Sequence, residues 1–368
     1  MTSYFSSELN SVRQISDLRF GVPIILENRN KYELVISIET LTTKTLKKIL
    51  RYNDNFDLEP YIVITKNRAN FLKARSYDNY IAKIKIPTPI SIHWIKSIAD
   101  PSNDLENPMK GPYLSLREGN NDIAKVAINF CKKAQLLPAA FILPIDQKIF
   151  FQLKNSGLIS QKISKALETK KFTNNLTLIS SARVPISEDL NSKVSVFRDM
   201  DSLTEHYAIE IGILNLSEPI LTRLHSACFT GDILHSLKCD CGEQLYTTVN
   251  MMKSERSGVI LYLNQEGRGI GLANKMRAYK LQDHGLDTFE ANQRLGFNDD
   301  ERDLLIGTKI LKKLGINQIK LLTNNPSKLI AFEKSEIQVT ERIPLLSKET
   351  NENKLYLKTK KIKSGHFF

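Results

Sequence analysis

Stretches of consecutive apolar residues alternate along the whole chain with stretches in which apolar residues recur at helical spacing. Because both patterns occur in both halves, we predict an α/β fold (mixed α+β) with two domains, each a mixed β-sheet with packed helices. The predicted strands are 22–26, 61–65 and 137–143 in the first half, and 176–186, 194–197, 206–214, 220–224, 259–263 and 319–322 in the second. The predicted helices follow Thr42 or Thr43, follow 120–122 as far as about 135, and lie at 243–253, 270–282 and 304–314.

A short polar segment, 168–175, separates the two halves and predicts domains at 1–174 and 175–368. The length of 368 residues suits two domains, and 41% hydrophobic with 25% charged residues is typical of a globular protein. No apolar run is long enough to span a membrane, and the first residues do not resemble a secretory signal. Few cysteines, clustered like metal ligands, fit a reducing compartment, so we expect a cytoplasmic protein with no membrane partner.

The formal net charge of +12 indicates an anionic partner. The basic residues are spread along the chain, and we find neither a nucleic-acid-binding motif nor aromatic residues interleaved on a basic face. We therefore expect a small anionic ligand, such as a triphosphate, and no nucleic acid.

Three of the four cysteines lie close together in the second half, with the spacing C-x10-C-x-C: Cys228, Cys239 and Cys241. Three thiolates that converge on one point form a soft anionic site, for which zinc is the usual ion. A site with three protein ligands keeps one position open for water, which is typical of catalytic zinc. The spacing is also compatible with three buried cysteines, or with a four-ligand site completed by His225 or His235.

Three polar segments follow predicted strands or precede helices in the second half. The glycine-rich segment 264–272 can bring backbone N–H groups to a phosphate, and Arg268 adds a guanidinium, although a simple tight turn also explains the glycines. In the segment 298–303, Asp300 could be a general base and Arg302 an anion clamp, or the acidic residues could cap the next helix. Lys328 follows the last predicted strand and can reach a phosphate.

Together these segments resemble the GTP cyclohydrolase II family, over about residues 178–366. That family catalyses the first committed step of riboflavin biosynthesis, so the resemblance implies the conversion of GTP to 2,5-diamino-6-ribosylamino-4(3H)-pyrimidinone 5′-phosphate, with release of formate and pyrophosphate. The matching segments are 225–244, 264–272, 290–303, 321–328, 341–344 and the tail 351–366.

The resemblance also implies the metals. One Zn2+ ion per chain would be bound by Cys228, Cys239 and Cys241, and its water would attack C8 of the guanine ring. Mg2+ would accompany the triphosphate and neutralise the departing pyrophosphate. Because members of the family commonly form dimers, a homodimer is implied as well.

Residue by residue, Arg302 matches the family arginine proposed to attack the α-phosphate, and Asp300 matches the proposed proton acceptor. Tyr279 matches a tyrosine near the reacting ring. The positions that match GTP contacts are Arg223, His225, Ser226, Gln244, Glu266, Gly267, Arg268, Thr288, Thr323 and Lys328.

The first half resembles 3,4-dihydroxy-2-butanone 4-phosphate synthase at 20–26 and 124–138. The acidic, magnesium-binding loop of that family is replaced by 27–33, which offers two carboxylates with basic residues between them. The family's Gly-His-Thr is replaced by Gly119 followed by Asn120, so the imidazole is absent. We therefore predict a degenerate synthase-like domain without synthase activity.

Two positions depart from the cyclohydrolase pattern: Ala227 stands where the family usually has Glu, and Leu304 where an aromatic residue is usual. Neither is a residue of the expected chemistry, so we expect activity. The alternatives are a different reaction on the same scaffold and a regulatory protein that holds nucleotide without turnover.

Overall fold

The computed structural model describes residues 7–53, 59–104, 108, 110–163, 176–200 and 202–345. The predicted junction at 168–175 lies outside the described residues. The tail 351–366, which carries part of the family resemblance, also lies outside them.

The chain divides into two compact units. The first contains 1–173 together with 273–301, and the second contains 174–272 together with 302–368. The segment 273–301 thus groups with the first unit although it belongs to the second half of the sequence. The assignment of the two halves to separate family domains stays a prediction.

A mixed six-stranded sheet forms the centre of the first unit. Its strands are β1 (Ile24–Asn28), β2 (Lys31–Ser37), β3 (Tyr61–Thr65), β4 (Ile81–Lys85), β5 (Ala139–Ile145) and β6 (Ser160–Lys162). Their order is β4-β3-β5-β2-β1-β6, and every neighbouring pair is antiparallel except β1 and β6. β1 begins later than predicted because Gly21, with a φ of 75°, and Pro23, which has no N–H, form a turn before it.

A mixed seven-stranded sheet forms the centre of the second unit. Its strands are β7 (Leu176–Arg183), β8 (Ser192–Asp199), β9 (Glu205–Gly212), β10 (Ile220–Ser226), β11 (Ser257–Leu263), β12 (Gln318–Leu322) and β13 (Gln338–Ile343). Their order is β13-β12-β10-β11-β9-β8-β7. β13, β12, β10 and β11 are parallel, so the carboxyl ends of these strands lie at one edge of the sheet.

Helices cover both sheets, and the predicted fold class is confirmed. Thr42 caps α2, since its side chain accepts a hydrogen bond from the Thr45 N–H at 3.1 Å. Among the described residues, no helix has the length and apolar character needed to cross a membrane. The helices are α1 (Ser7–Arg19), α2 (Thr43–Leu50), α3 (Lys66–Leu72), α4 (Ile92–Ala99), α5 (Asp122–Lys133), α6 (Gln147–Asn155), α7 (Cys241–Glu255), α8 (Leu272–Asp283), α9 (Thr288–Arg294), α10 (Leu305–Lys313) and α11 (Pro326–Glu333).

The apolar run of β11 is explained by a sheet that is covered on both faces. Val259 and Leu261 belong to one apolar cluster with Ile310 of α10. Ile260 points to the opposite face and belongs to a second cluster with Met252 of α7. Because successive side chains of a strand alternate between faces, a strand buried on both sides is apolar throughout.

Candidate active site

The three predicted metal ligands converge at the end of β10. The Sγ atoms of Cys228, Cys239 and Cys241 all lie within 4.8 Å of one another, and those of Cys228 and Cys239 are 3.7 Å apart. A tetrahedral zinc ion with Zn–S bonds of about 2.3 Å separates its sulfur ligands by about 3.8 Å. The spacing therefore fits zinc, and the cluster in the described part of the chain includes no histidine, contrary to the four-ligand alternative with His225 or His235.

The sulfur atoms can approach one another closely because Gly231, which lies between them, has no side chain. A π-helical turn, Phe229–Ile233, follows Cys228, and the Gly231 N–H donates to the Cys228 Sγ at 3.3 Å. A Cβ on Gly231 would lie 2.7 Å from the Cys239 Sγ. The hydrogen bond with Cys228 is the main reason that the pKa of the Cys239 thiol is raised.

The carboxylate of Asp232, which the sequence analysis did not single out, organises the start of this turn. It accepts hydrogen bonds from the Cys228 N–H at 3.0 Å, the Tyr262 hydroxyl at 2.9 Å and the His225 Nε2 at 3.1 Å. Burial, followed by the negative charge of Asp232, raises the pKa of Tyr262, so its hydroxyl remains a donor. In the sequence, the only sign of this role was that Asp232 lies four residues after Cys228.

His225, which contacts Asp232, is buried and neutral. Burial lowers its pKa against the opposing effect of Asp232, so the ring donates from Nε2 near pH 7. Within the described part of the chain its Nδ1 has no hydrogen-bond partner. A buried acceptor of this kind is available to a ligand, in keeping with the prediction that His225 contacts the substrate.

Arg223 places a positive charge inside the second unit. Its guanidinium donates to the Gln244 Oε1 at 2.5 Å and to the Leu322 carbonyl at 2.9 Å, and both acceptors are neutral. Burial lowers the pKa of Arg223 to about 10, partly offset by Cys241 and Asp240, so the group stays cationic at neutral pH. A buried cation with neutral partners is suited to an anionic ligand.

Two more predicted cations lie near the carboxyl ends of the parallel strands. The Lys328 Nζ is buried and donates to the Leu224 carbonyl at 2.6 Å. The Arg302 Nη1 donates to the Ser226 hydroxyl at 3.1 Å. Thr323, directly after β12, is fully buried. The structure thus brings these predicted residues to the edge of the sheet that also carries the cysteines.

The glycine-rich segment forms a 3-10 turn, Glu266–Gly269, at the carboxyl end of β11. Gly267 and Arg268 both have a positive φ, of 62° and 61°. The Glu266 carboxylate accepts from the Phe229 N–H at 2.6 Å and from the Gly267 N–H at 2.9 Å. Glu266 therefore ties this turn to the cysteine segment, which is a role that the sequence did not indicate.

The remaining predicted residues belong to the first unit. Tyr279 lies on α8, with the Lys275 Nζ 5.6 Å from the centre of its ring. Thr288 begins α9, and its hydroxyl accepts from the Gln282 Nε2 at 3.1 Å. Asp300 lies in the turn that leads out of the unit.

The carboxylate that caps the first turn of α10 belongs to Asp303, which accepts from the Leu305 N–H at 3.0 Å. Asp299 accepts instead from the Gln293 side chain at 3.0 Å. Asp303 therefore contributes to the start of α10, as the alternative interpretation of the acidic residues expected, and the role of Asp300 stays a prediction.

Comparison with known proteins agrees with this geometry. A family model described as GTP cyclohydrolase II matches residues 178–344. The GTP cyclohydrolase-2 of Azospirillum brasilense is 33% identical over 361 residues, which cover 97% of this chain and 93% of that protein. The GTP cyclohydrolase-2 of Blochmanniella floridana is 52% identical over 172 residues, which cover 47% of this chain and 86% of that protein.

Among solved structures, RibBX, a two domain 3,4-dihydroxy-2-butanone 4-phosphate synthase from A. baumannii, covers 92% of this chain and 99% of its own. It is 14% identical to this chain, with a TM-score of 0.33.

Proposed function

We propose that this chain, which belongs to the GTP cyclohydrolase II family, hydrolyses GTP in the first step of riboflavin biosynthesis. The products would be 2,5-diamino-6-ribosylamino-4(3H)-pyrimidinone 5′-phosphate, formate and pyrophosphate. The observation that supports this most is the three-cysteine cluster at the end of β10, the strand that also carries the buried Arg223. A hydrolytic metal site beside a buried cation suits a purine triphosphate.

Cys228, Cys239 and Cys241 would hold a zinc ion, because their spacing fits one ion with an open position. When bound, zinc supplies a water acidic enough to hydrolyse the imidazole ring of guanine at neutral pH. Asp232 fixes the Cys228 backbone by accepting its N–H. His225 and Tyr262 hold that carboxylate in turn, so the ligand geometry is set before substrate arrives.

The triphosphate would be bound by the cationic side chains at the same sheet edge, together with Mg2+. Arg223 and Lys328 are buried, so their charges are weakly screened. Arg302, oriented by the Ser226 hydroxyl, is assigned the family role at the α-phosphate, from which pyrophosphate leaves. Asp300 is assigned the role of proton acceptor.

The base and ribose contacts are also proposals. Tyr279 and Thr288 are assigned to the reacting ring and the nucleotide by the family pattern. Further contacts with GTP are assigned to His225, Ser226, Gln244, Glu266, Gly267, Arg268 and Thr323.

A product assay tests this function. Purified protein is incubated with GTP and Mg2+, and formate, pyrophosphate and the pyrimidine are measured beside an Arg302→Ala variant. We expect all three products from the wild type, and a loss of pyrophosphate release of at least about a hundredfold in the variant, as for removal of a catalytic side chain. Intact GTP in the presence of bound zinc would contradict the proposal and favour a regulatory nucleotide-binding protein.

The first unit is proposed to lack synthase activity. Of the two carboxylates in 27–33, Glu33 accepts from the Tyr61 hydroxyl at 2.8 Å and Glu27 lies 3.4 Å from the Lys162 Nζ. Formation of a butanone phosphate from ribulose 5-phosphate would contradict this proposal.

A homodimer in the cytoplasm completes the proposal, by analogy with the two families that the halves resemble. Light scattering of the purified protein tests the dimer, and a monomeric mass at working concentration would contradict it.

A further inference from the structure

The segment 273–301 lies in the second half of the sequence but groups with the first unit. It carries Tyr279, Thr288 and Asp300, all assigned above to the cyclohydrolase reaction. The chain enters it after Leu272 and leaves it before Arg302. Its placement therefore depends on contacts made by residues of the first half of the sequence.

Helix α8 is held near its beginning by one buried hydrogen bond and two partly exposed ion pairs. Asn274 is fully buried, and its Nδ2 donates to the Gln135 carbonyl at 2.9 Å. One turn later, the Arg277 guanidinium lies 3.1 Å from the Glu39 carboxylate and 3.3 Å from that of Asp100. These contacts fix the part of α8 that lies directly before Tyr279.

Helix α9 is held at its end by a buried charge cluster. The Arg294 Nε lies 3.4 Å from Asp104, and its guanidinium lies 5.7 Å from the centre of the Phe71 ring. Asp104 also accepts from Arg68 at 2.6 and 2.9 Å and from Lys110 at 2.5 Å. Burial would raise the pKa of Asp104, but these cations lower it below its usual value, so the cluster stays ionised.

The turn after α9 approaches the first half closely enough to require glycine. Gly296 has a φ of 93°, and a Cβ there would lie 2.7 Å from the Thr65 Oγ1 and 3.0 Å from the Pro138 Cγ. Beside it, the Phe297 carbonyl accepts from the Asn67 Nδ2 at 2.9 Å. The backbone of the turn is therefore packed directly against β3, α3 and the start of β5.

The last contact of the series is an ion pair in the turn that contains Asp300. Lys132, at the end of α5, pairs with Glu301, and each side chain is less than one-fifth exposed. The same Glu301 carboxylate accepts from the Asn298 N–H at 2.8 Å, which closes the turn containing Asp300. Glu301 is thus the residue between Asp300 and Arg302.

We propose that Lys132 is a positioning residue for Asp300, because it pairs with Glu301 in the turn that contains Asp300. This inference rests on the proposed function only for the role of Asp300. A side chain that is displaced by about 1 Å can lose about a hundredfold in rate, so a contact one residue away is enough to matter.

The test uses the full-length chain and three variants. Lys132→Glu places two carboxylates together, Lys132→Arg keeps the charge, and Lys47→Glu makes the same charge change at an exposed position on α2. Steady-state kinetics with GTP, zinc content and thermal unfolding are measured for each. Hydrogen–deuterium exchange of peptides covering 288–301 is measured in parallel, because it reports the attachment without any need for turnover.

We expect Lys132→Glu to lower kcat at least about tenfold with little change in KM, and to speed exchange in 288–301. Lys132→Arg and Lys47→Glu should stay within about twofold of the wild type, and zinc content should be equal in all. If Lys132→Glu keeps wild-type kinetics and exchange, or if Lys132→Arg loses as much as Lys132→Glu, the inference is wrong. A wild type that does not turn over GTP would instead overturn the proposed function, and exchange alone would then decide the attachment.

Discussion

Replacing Gly231 by alanine should separate the three sulfurs of the metal site. The added Cβ would lie 2.7 Å from the Cys239 Sγ, 2.9 Å from the Cys241 Cβ and 3.0 Å from the Cys228 Sγ. Nonbonded heavy atoms prefer about 3.5–4.0 Å, so at least one of these atoms has to move by about 1 Å. The N–H group of residue 231 is retained, which limits the perturbation to the new methyl group.

The size of the effect follows from the narrow tolerance of a zinc site. Zinc–ligand distances are held within about 0.2 Å, so a movement of about 1 Å cannot be absorbed by the bonds themselves. Inserting one methyl group into a packed site costs about 1–3 kcal/mol. If this cost appears only in the zinc-bound state, affinity falls about 5- to 150-fold.

Zinc affinity is measured by competition with a chromophoric chelator, and turnover by formate release. Gly111→Ala is the matched control, because a Cβ there lies 3.6 Å from the Tyr113 ring, an ordinary contact distance. We expect the control to bind zinc like the wild type. Unchanged zinc affinity in Gly231→Ala would refute the argument that this glycine is needed for the sulfurs to converge.

Two further predictions concern buried groups of the second unit. Burial lowers the pKa of His206 to about 4, against the opposing charges of Asp199 and Asp303, so the unfolded chain binds a proton at a higher pH than the folded one. The free energy of unfolding should therefore fall as pH drops from about 6.5 to about 4, by up to about 1.4 kcal/mol per pH unit. Urea titrations at several pH values measure this dependence, and in a His206→Gln variant the free energy of unfolding should depend less steeply on pH. Asp232→Asn replaces an acceptor of three hydrogen bonds by a group that also donates, and should lower the free energy of unfolding by about 1–3 kcal/mol, with weaker zinc binding. Equal unfolding curves for Asp232→Asn and wild type would show that the carboxylate is not needed.

The central strands of the second sheet were predictable because burial on both faces leaves a continuous apolar run. β11 and β12 lie within one or two residues of their predicted bounds for this reason. β13 was missed because it is an edge strand whose side chains are half-buried or exposed, so neither a run nor a clear alternation marks it. α11 was missed although Asn325 caps it and Pro326 begins it, a recognisable signal for a helix start.

The convergence of Cys228, Cys239 and Cys241 was predictable from their spacing, whereas the groups that hold the cysteine segment were not. Asp232 and Tyr262 are 30 residues apart in sequence, and their hydrogen bond exists only because β10 and β11 are neighbours in the sheet. The grouping of 273–301 with the first unit could not be predicted either, because it also depends on contacts between residues that are distant in sequence. Its contacts join residues up to 230 positions apart, which no local pattern records.

The two departures from the family pattern lie where the structure can accommodate them. Leu304 is buried in an apolar cluster together with Ile306 and Ile310 of α10. Ala227 contributes its backbone N–H to the Leu263 carbonyl at 2.7 Å, a bond that does not depend on its side chain. The cysteine segment still receives two carboxylates, from Asp232 at the Cys228 N–H and from Glu266 at the Phe229 N–H. The N–H groups of Cys228 and Phe229 are therefore both bonded to carboxylates without an acidic side chain at position 227, and we expect the cysteine segment to keep its conformation.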